Sequence, residues 1–235
     1  MSTAPIAGQC DRQLQLLRAF IVPVCAGLFL LAGCDASDNG KTSGPSGFDF
    51  YVLALSWSPS YCEAEGERAN PQQCNGARPY AFIVHGLWPQ FEKGYPEFCD
   101  EGSQRVTRAI EDQMLPIMPS RGLIRHQWKK HGTCSGLDQD DYFDAVRDAH
   151  ASVSVPDIGS TDGTYKTMSP DEVAQAFINA NPQLEDDHFA VTCDKRRLRE
   201  VRICMTTEFQ YRSCPQVTSR ACRRSSVVLP PVRGR

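Results

Sequence analysis

No two cysteines in this chain stand in a Cys-x-x-Cys pair, so nothing in the sequence seeds a zinc site of that kind. No segment repeats, which sets aside solenoids and propellers. No apolar run reaches the ~20 residues that cross a bilayer with ease. Charge of one sign is missing too: the formal net charge is −3, so this is no polycation that holds nucleic acid by charge alone. Hydrophobic content of 41% and charged content of 23% are those of an ordinary soluble globular protein, and 235 residues suffice for one substantial domain or two small ones. Cysteine is what stands out. Eleven are too many for an ordinary cytosolic enzyme.

Cys10, Cys25 and Cys34 lie early. The other eight, Cys62, Cys74, Cys99, Cys134, Cys193, Cys204, Cys214 and Cys222, form an even set downstream of an export-like segment, which points to four disulfides made in an oxidising compartment. Buried thiols or zinc ligands are the weaker alternative. The export segment occupies residues 1–33. Arg12 and Arg18 give it a weakly basic start, and Ala19 to Ala32 form an apolar core of signal-peptide length, followed by polar chain. It closes on Leu31-Ala32-Gly33-Cys34, which resembles the lipobox of bacterial lipoproteins and makes Cys34 the candidate lipidation site. Simple cleavage and release is the alternative. The expected location is periplasmic or envelope-anchored, otherwise secreted.

Residues 34–47, rich in Asp, Ser, Asn, Gly and Thr, read as a flexible tether, and residues 48–235 as one folded domain. Phe48 to Trp57 is aromatic and β-branched and becomes continuously apolar, as a central strand does. A loop holding Cys62 and Cys74 follows. Ala81-Phe82-Ile83-Val84 is a short apolar run that delivers His85 at its end. Gln104 to Leu115 and Asp140 to Val153 read as helices, and Ser169-Pro170-Asp171-Glu172 is a capping box opening a third that runs to about Ala180. Phe189 to Cys193 and Glu200 to Met205 read as strands. Without βαβ regularity, the mix is α+β. Charge is unevenly spread. Residues 35–194 hold 12 Lys and Arg against 25 Asp and Glu, whereas Lys195 to Arg235 hold 11 against 2. The basic tail is expected to pack on the acidic body; a phosphate-attracting rim is the other reading.

Two segments carry chemistry. In Phe82-Ile83-Val84-His85-Gly86-Leu87-Trp88-Pro89-Gln90 an imidazole sits at a sheet edge beside a glycine, with an indole close behind. Alone, that histidine reads more readily as structural. In His126-Gln127-Trp128-Lys129-Lys130-His131-Gly132-Thr133-Cys134, helical spacing gathers His126, Gln127, Lys130 and His131 within an arc of about 140° and turns Trp128 and Lys129 away. Two imidazoles, an ammonium and an amide on one face suit an anion and repel a cation. The histidines are five apart with no glutamate between them, so the zincin pattern is absent, and neither a metal nor another cofactor is expected. Breaking RNA needs one proton taken from a 2′-hydroxyl, one given to a leaving 5′-oxygen, and charge stabilised on phosphorus. Imidazoles titrate near neutrality and suit both transfers.

His85-Gly86-Leu87-Trp88-Pro89 and the segment from His126 to Cys134 resemble the two active-site segments of the ribonuclease T2 family, which takes in fungal and plant acid ribonucleases and bacterial ribonuclease I-like enzymes. The likeness extends over Phe48 to Cys222. It implies a central, mostly antiparallel sheet flanked by helices and stapled by disulfides. It implies His85 as general acid and His131 as general base, Lys130 stabilising the transition state, His126 binding phosphate, and a 2′,3′-cyclic phosphate product. Trp88 matches a base-stacking position. Gln90 stands where many relatives have aspartate, and Tyr95 is a further candidate for the base pocket. The expected preference among bases is broad.

The main departure is Gln127, where most relatives carry glutamate. Glutamine keeps the shape and donates a hydrogen bond but transfers no proton, so a working but slower enzyme is expected, with a catalytically impaired RNA-binding protein of the same fold as the alternative. The family pattern further implies the pairings Cys62–Cys74, Cys99–Cys134, Cys193–Cys222 and Cys204–Cys214. The expected partner is single-stranded RNA and not DNA, acted on by a monomer that meets a membrane only through an N-terminal lipid. Mass spectrometry of the mature N-terminal peptide is expected to find a lipid on Cys34; an unmodified N-terminus would sink that assignment.

Overall fold

The computed structural model describes residues 47–233; the leader, Cys34 and the tether as far as residue 46 lie outside the described residues. In chain order the elements are β1 (Phe50–Trp57), α1 (Ser58–Glu65), α2 (Pro71–Cys74), β2 (Phe82–Gln90), α3 (Arg108–Met114), α4 (Arg121–Lys130), α5 (Gln139–Ala151), β3 (Lys166–Met168), α6 (Pro170–Ala180), β4 (Phe189–Cys193), β5 (Leu198–Met205), α7 (Pro215–Thr218) and β6 (Val227–Leu229). This is an α+β fold. Its main sheet runs β2-β1-β5-β4 with every pairing antiparallel, and β3 pairs with β6 in a small second sheet.

The apolar run of β1 follows from its place between β2 and β5, buried on both faces. Its alternation divides the core in two. Tyr51, Leu53, Leu55 and Trp57 join Leu87, Val201, Ile203 and Met205 under the helices, against Ile110, Met114, Ile124, Tyr142, Phe143 and Phe177. Phe50 and Val52 look the other way, into a small cluster with Ala190, Cys204, Cys214 and Val217. The second face is thinly covered, and it carries the site.

Local chemistry explains where the helices begin. Ser120 caps α4 by accepting from the Leu123 amide, and Asp138 caps α5 by accepting from that of Asp141. The capping box at Ser169 and Glu172 is formed in both directions, and α6 ends at Ala180 as its spacing predicts. Buried Glu111 on α3 receives Arg121 at 3.0 Å and Arg125 at 2.5 Å, which fixes α4 against its neighbour.

Three sequence expectations need correction. The segment between β1 and β2 is not a loop: Pro59 and Pro71 sit in the first turns of α1 and α2, and Asn70 caps the latter. The helix expected from Gln104 begins at Arg108, where Thr107 supplies the cap. The strand expected to stop at His85 continues to Gln90, because Trp88, Pro89 and Gln90 still pair with Val52, Tyr51 and Phe50. Pro89 is tolerated there because β2 is an edge strand. The short strands β3 and β6 carry no sequence signal strong enough to predict.

All four disulfides pair as the family pattern implies. Cys204–Cys214 and Cys193–Cys222 clamp the chain before and after α7, and Cys99–Cys134 ties the segment after β2 to the turn after α4. The basic tail is divided between two surroundings. Arg197 pairs with Glu63, Arg199 with Asp194 and Arg212 with Glu92, so part of it packs on acidic partners, while Arg202 and Arg220 line a cavity. Among the described residues, no helix is long and apolar enough to cross a membrane.

Leu53 is fully buried in the larger core. Leu53→Ala should cost about 2–5 kcal/mol, read as a lowered urea midpoint with disulfides intact; a shift under about 1 kcal/mol would mean the core closes over the gap.

Candidate active site

His85 owes its orientation to a bulge. Ala54 pairs with Gly86 and Leu55 with Val84, so His85 is the extra residue of β2. Strict alternation counted back from Trp88 would turn residue 85 into the helix-covered core and Val84 out of it. The bulge changes the phase: Val84 is fully buried in the core and His85 emerges beside Gly86 on the thinly covered face.

Helix α4 lies across the same end of β2. Ile124 and Trp128 go into the core, which leaves His126, Gln127 and Lys130 on the cavity side. The arc drawn from helical spacing holds for these three. His131 is the residue that caps the helix, with φ −121°, and it is buried. Phe98 adopts a positive φ of 54°, and its amide donates to the Lys130 carbonyl at 2.9 Å. The adjacent Cys99–Cys134 bond holds this contact in place.

A cavity of about 400 Å³ collects these groups. His85, Gln127, Lys130, His131, His126, Trp88, Gln90 and Tyr95, the eight positions singled out above, all line it. Trp88 stands between the two histidines, its ring 5.4 Å from that of His85, edge-on, and 5.3 Å from that of His131, stacked. Its indole N–H donates to Gln127 Oε1 at 2.8 Å. An indole nitrogen is a donor only, so this bond decides which end of the amide is oxygen. Gly86 makes the approach possible: a Cβ there would lie 2.0 Å from Gln127 Oε1 and 2.5 Å from Trp88 Nε1. Lys130 pairs with Glu97 at 3.2 Å. Gln90 is buried and donates to the Pro89 carbonyl, while Tyr95 is 46% exposed at the rim.

The two histidines sit in opposite surroundings. Burial, and then the charges of Lys130, His126 and His85, push His131 down to about 3, and its Nδ1 has no hydrogen-bond partner. His126 is lowered by burial, Lys130 and His85. His85 instead meets a carboxylate: its Nδ1 is 2.5 Å from Glu200 Oε1. Glu200 also receives Ser56 Oγ at 3.2 Å and Arg202 Nε at 2.8 Å. Burial opposes its charge, but His85 and Arg202 outweigh that and hold it at about 2.

Glu200 and Arg202 are the site residues that motif reading misses, since β5 is read only as a core strand. Alternation carries the signal: with Val201, Ile203 and Met205 in the core, residues 200 and 202 must share the face of Trp88. Arg202 lies over the Trp88 ring at 5.2 Å. Among the described residues, one group of three potential metal ligands exists, Glu185, Asp187 and His188, and none of them lines the cavity.

Comparison with known proteins gives a consistent result. The sequence profile of the Ribonuclease T2 family matches residues 48–214. A protein of Aeromonas hydrophila named "Ribonuclease" is 33% identical over 194 residues, covering 71% of this chain and 86% of that protein. A "Probable ribonuclease" of Haemophilus influenzae is 28% identical over 178 residues, covering 71% of this chain and 61% of that one. Among solved structures, an RNase-related protein from Calystegia sepium superposes with a TM-score of 0.61 at 21% identity, covering 78% of this chain and 97% of that one. Trichomaglin, described as an S-like ribonuclease, does so with 0.62 at 21%, covering 78% and 98%.

The surroundings of His131 make stability depend on pH. Its imidazole ionises near about 6.5 when unfolded and near about 3 when folded. Between those values the unfolded chain binds the extra proton. The contribution is therefore complete above the unfolded value and declines as pH falls toward the folded one, at up to about one proton of slope. Urea midpoints measured from about pH 7 down to about pH 4 should fall less in His131→Asn than in the parent. Parallel curves would show that His131 is not the group concerned.

Proposed function

The chain belongs to the ribonuclease T2 family and is an endoribonuclease, and on that premise we propose that it cleaves single-stranded RNA by transphosphorylation without a metal. The observation that carries this reading is the pair of histidines lining one cavity, one buried among cations and the other against a carboxylate. Environments that differ in this way sort an acid from a base.

His131, uncharged at neutral pH, takes the proton of the 2′-hydroxyl. The 2′-oxygen attacks phosphorus, and His85, entering the step protonated, gives its proton to the departing 5′-oxygen. The products are a 2′,3′-cyclic phosphate and a free 5′-hydroxyl, and water then opens the ring with the roles exchanged. Lys130, His126 and the Gln127 amide surround the non-bridging oxygens where negative charge grows. Because Oε1 of Gln127 is taken by Trp88, the amide has its Nε2 donor left for this work. The donor set is cationic, which suits a phosphate and gives a metal ion no carboxylate on the cavity lining.

Trp88, Tyr95 and Gln90 form the base-binding part. Aromatic faces accept any base, so the preference is broad. Export to an oxidising compartment agrees with four disulfides, and a lipid on Cys34 would hold the enzyme at the envelope through the tether.

Structureless RNA incubated with the mature domain in excess chelator should yield cyclic-phosphate ends, while DNA, lacking the 2′-nucleophile, stays intact. Bound but uncut RNA would favour the impaired binder, and cleavage blocked by chelator would overturn metal independence. His85→Ala and His131→Ala should each lower the rate by roughly 10²–10⁴. Gln127→Glu should preserve or raise it; a large loss would mean the amide has a role of its own.

A further inference from the structure

We infer that Glu200 is a positioning residue for the leaving-group proton, holding His85 through Nδ1 so that Nε2 alone is left to face the 5′-oxygen. This rests on the reading of His85 as general acid. The contact is an unusual one for a sheet. His85 is on β2 and Glu200 on β5, with β1 between them. Neighbouring strands are about 4.8 Å apart, so two side chains meeting across a third strand need an open path over it. β1 provides that path. Its residues on this stretch are Ala54, opposite Gly86 and Arg202, and Ser56, opposite Glu200. Ser56 does more than leave room, since its hydroxyl donates to the same carboxylate oxygen that meets His85.

The carboxylate has little freedom. Oε1 takes His85 and Ser56, and Oε2 takes both Nε and Nη2 of Arg202, at 2.8 and 2.7 Å. Glu200 is only 8% exposed. Arg202 is thereby fixed over Trp88, so one carboxylate aligns the proton donor and the cation on the indole face.

Electrostatics gives the arrangement its purpose. On the side of the substrate cavity the ionisable groups around His85 include Arg202 from β5, and His126, Lys130 and His131 from α4 and its cap. On its other side His85 lines a second cavity with Glu65, Arg199 and Glu200. No Asp or Glu lines the substrate cavity. A protonated His85 needs a counter-charge, and Glu200 is the carboxylate in contact with it. In the step, the proton on Nε2 passes to the 5′-oxygen as the P–O bond breaks, while the Nδ1 proton stays in its bond to Glu200. The imidazole ends neutral in the tautomer that can later take a proton from water.

A leaving group that needs no proton separates this role from a structural one. The variants Glu200→Gln, His85→Ala and His131→Ala would be assayed on a dinucleotide and on uridine 3′-(p-nitrophenyl phosphate), whose phenolate departs unprotonated. Glu200→Gln is expected to slow the dinucleotide by on the order of 10²-fold and to leave the nitrophenyl ester nearly unchanged, in parallel with His85→Ala. His131→Ala should slow both. Glu200→Asp, which keeps a carboxylate for Arg202 but shortens its reach, should show the same selective loss and serves if the glutamine variant does not fold. Equal losses on both substrates for a folded Glu200 variant would overturn the proposal alone. A wild-type protein inactive on both would overturn the ribonuclease reading beneath it.

Discussion

The site depends on one extra residue in an antiparallel ladder. β1 and β2 pair in register up to Ala54 and Gly86, and pair again from Leu55 and Val84. Pairing His85 in plain alternation, with no bulge, would put Ile83 and Val84 each on the wrong face. With the bulge, Val84 and Leu87 both reach the core, while His85 reaches the cavity and Gly86 lies against Gln127 and Trp88. The backbone at Gly86 is then close enough to α4 that only glycine leaves room for the bond between Trp88 and Gln127. Strand phase, helix docking and the pair of imidazoles thus follow from a single local irregularity, which is how bulges are used beside active sites.

Around that constraint the protein separates its charges. Among the described residues no Asp or Glu lines the cavity, where His, Lys and Arg are the ionisable groups apart from Tyr95. Burial disfavours the proton of an imidazole and the cations around it add to this, and His131 is displaced accordingly. The carboxylate that meets His85 has to be nearby but out of the substrate's way. Placing it on β5, beneath a path kept open by Ala54 and Ser56, meets both conditions.

Much of this was legible in the chain. The capping box of α6, the amphipathic α5 and the apolar length of β1 are local signals, and local signals decide those elements. The lining residues between His85 and Gln90 and between His126 and His131 were legible because both motifs are short and each lies on one element or its cap. What was hidden is non-local. The phase change at His85 depends on the partner strand, whose register no single segment displays. Glu200 and Arg202 become site residues only when β5 lies against β1, although their alternation with Val201 and Ile203 already assigns them to the face away from the core. The segment from Ser58 to Cys74 read as loop because its helices are short and rich in polar residues, and they are held by proline starts, a cap and a disulfide.

The exchange at residue 127 bears on the same balance. Trp88 fixes the carbonyl oxygen of Gln127, so the amide nitrogen takes the place where a glutamate would present its second oxygen. That oxygen would be the one anion on the lining. Its charge would oppose Lys130 and His126 and draw the ionisation of His131 back toward neutrality. With glutamine there, His131 remains uncharged well into acid; in the proposed mechanism an imidazole of low proton affinity is also a weaker base, and general-base catalysis gains from matching the two. Under the proposed mechanism, Gln127 would add to the burial and cations that lower His131 only by withholding a negative charge, and in exchange it would supply a donor that does not titrate.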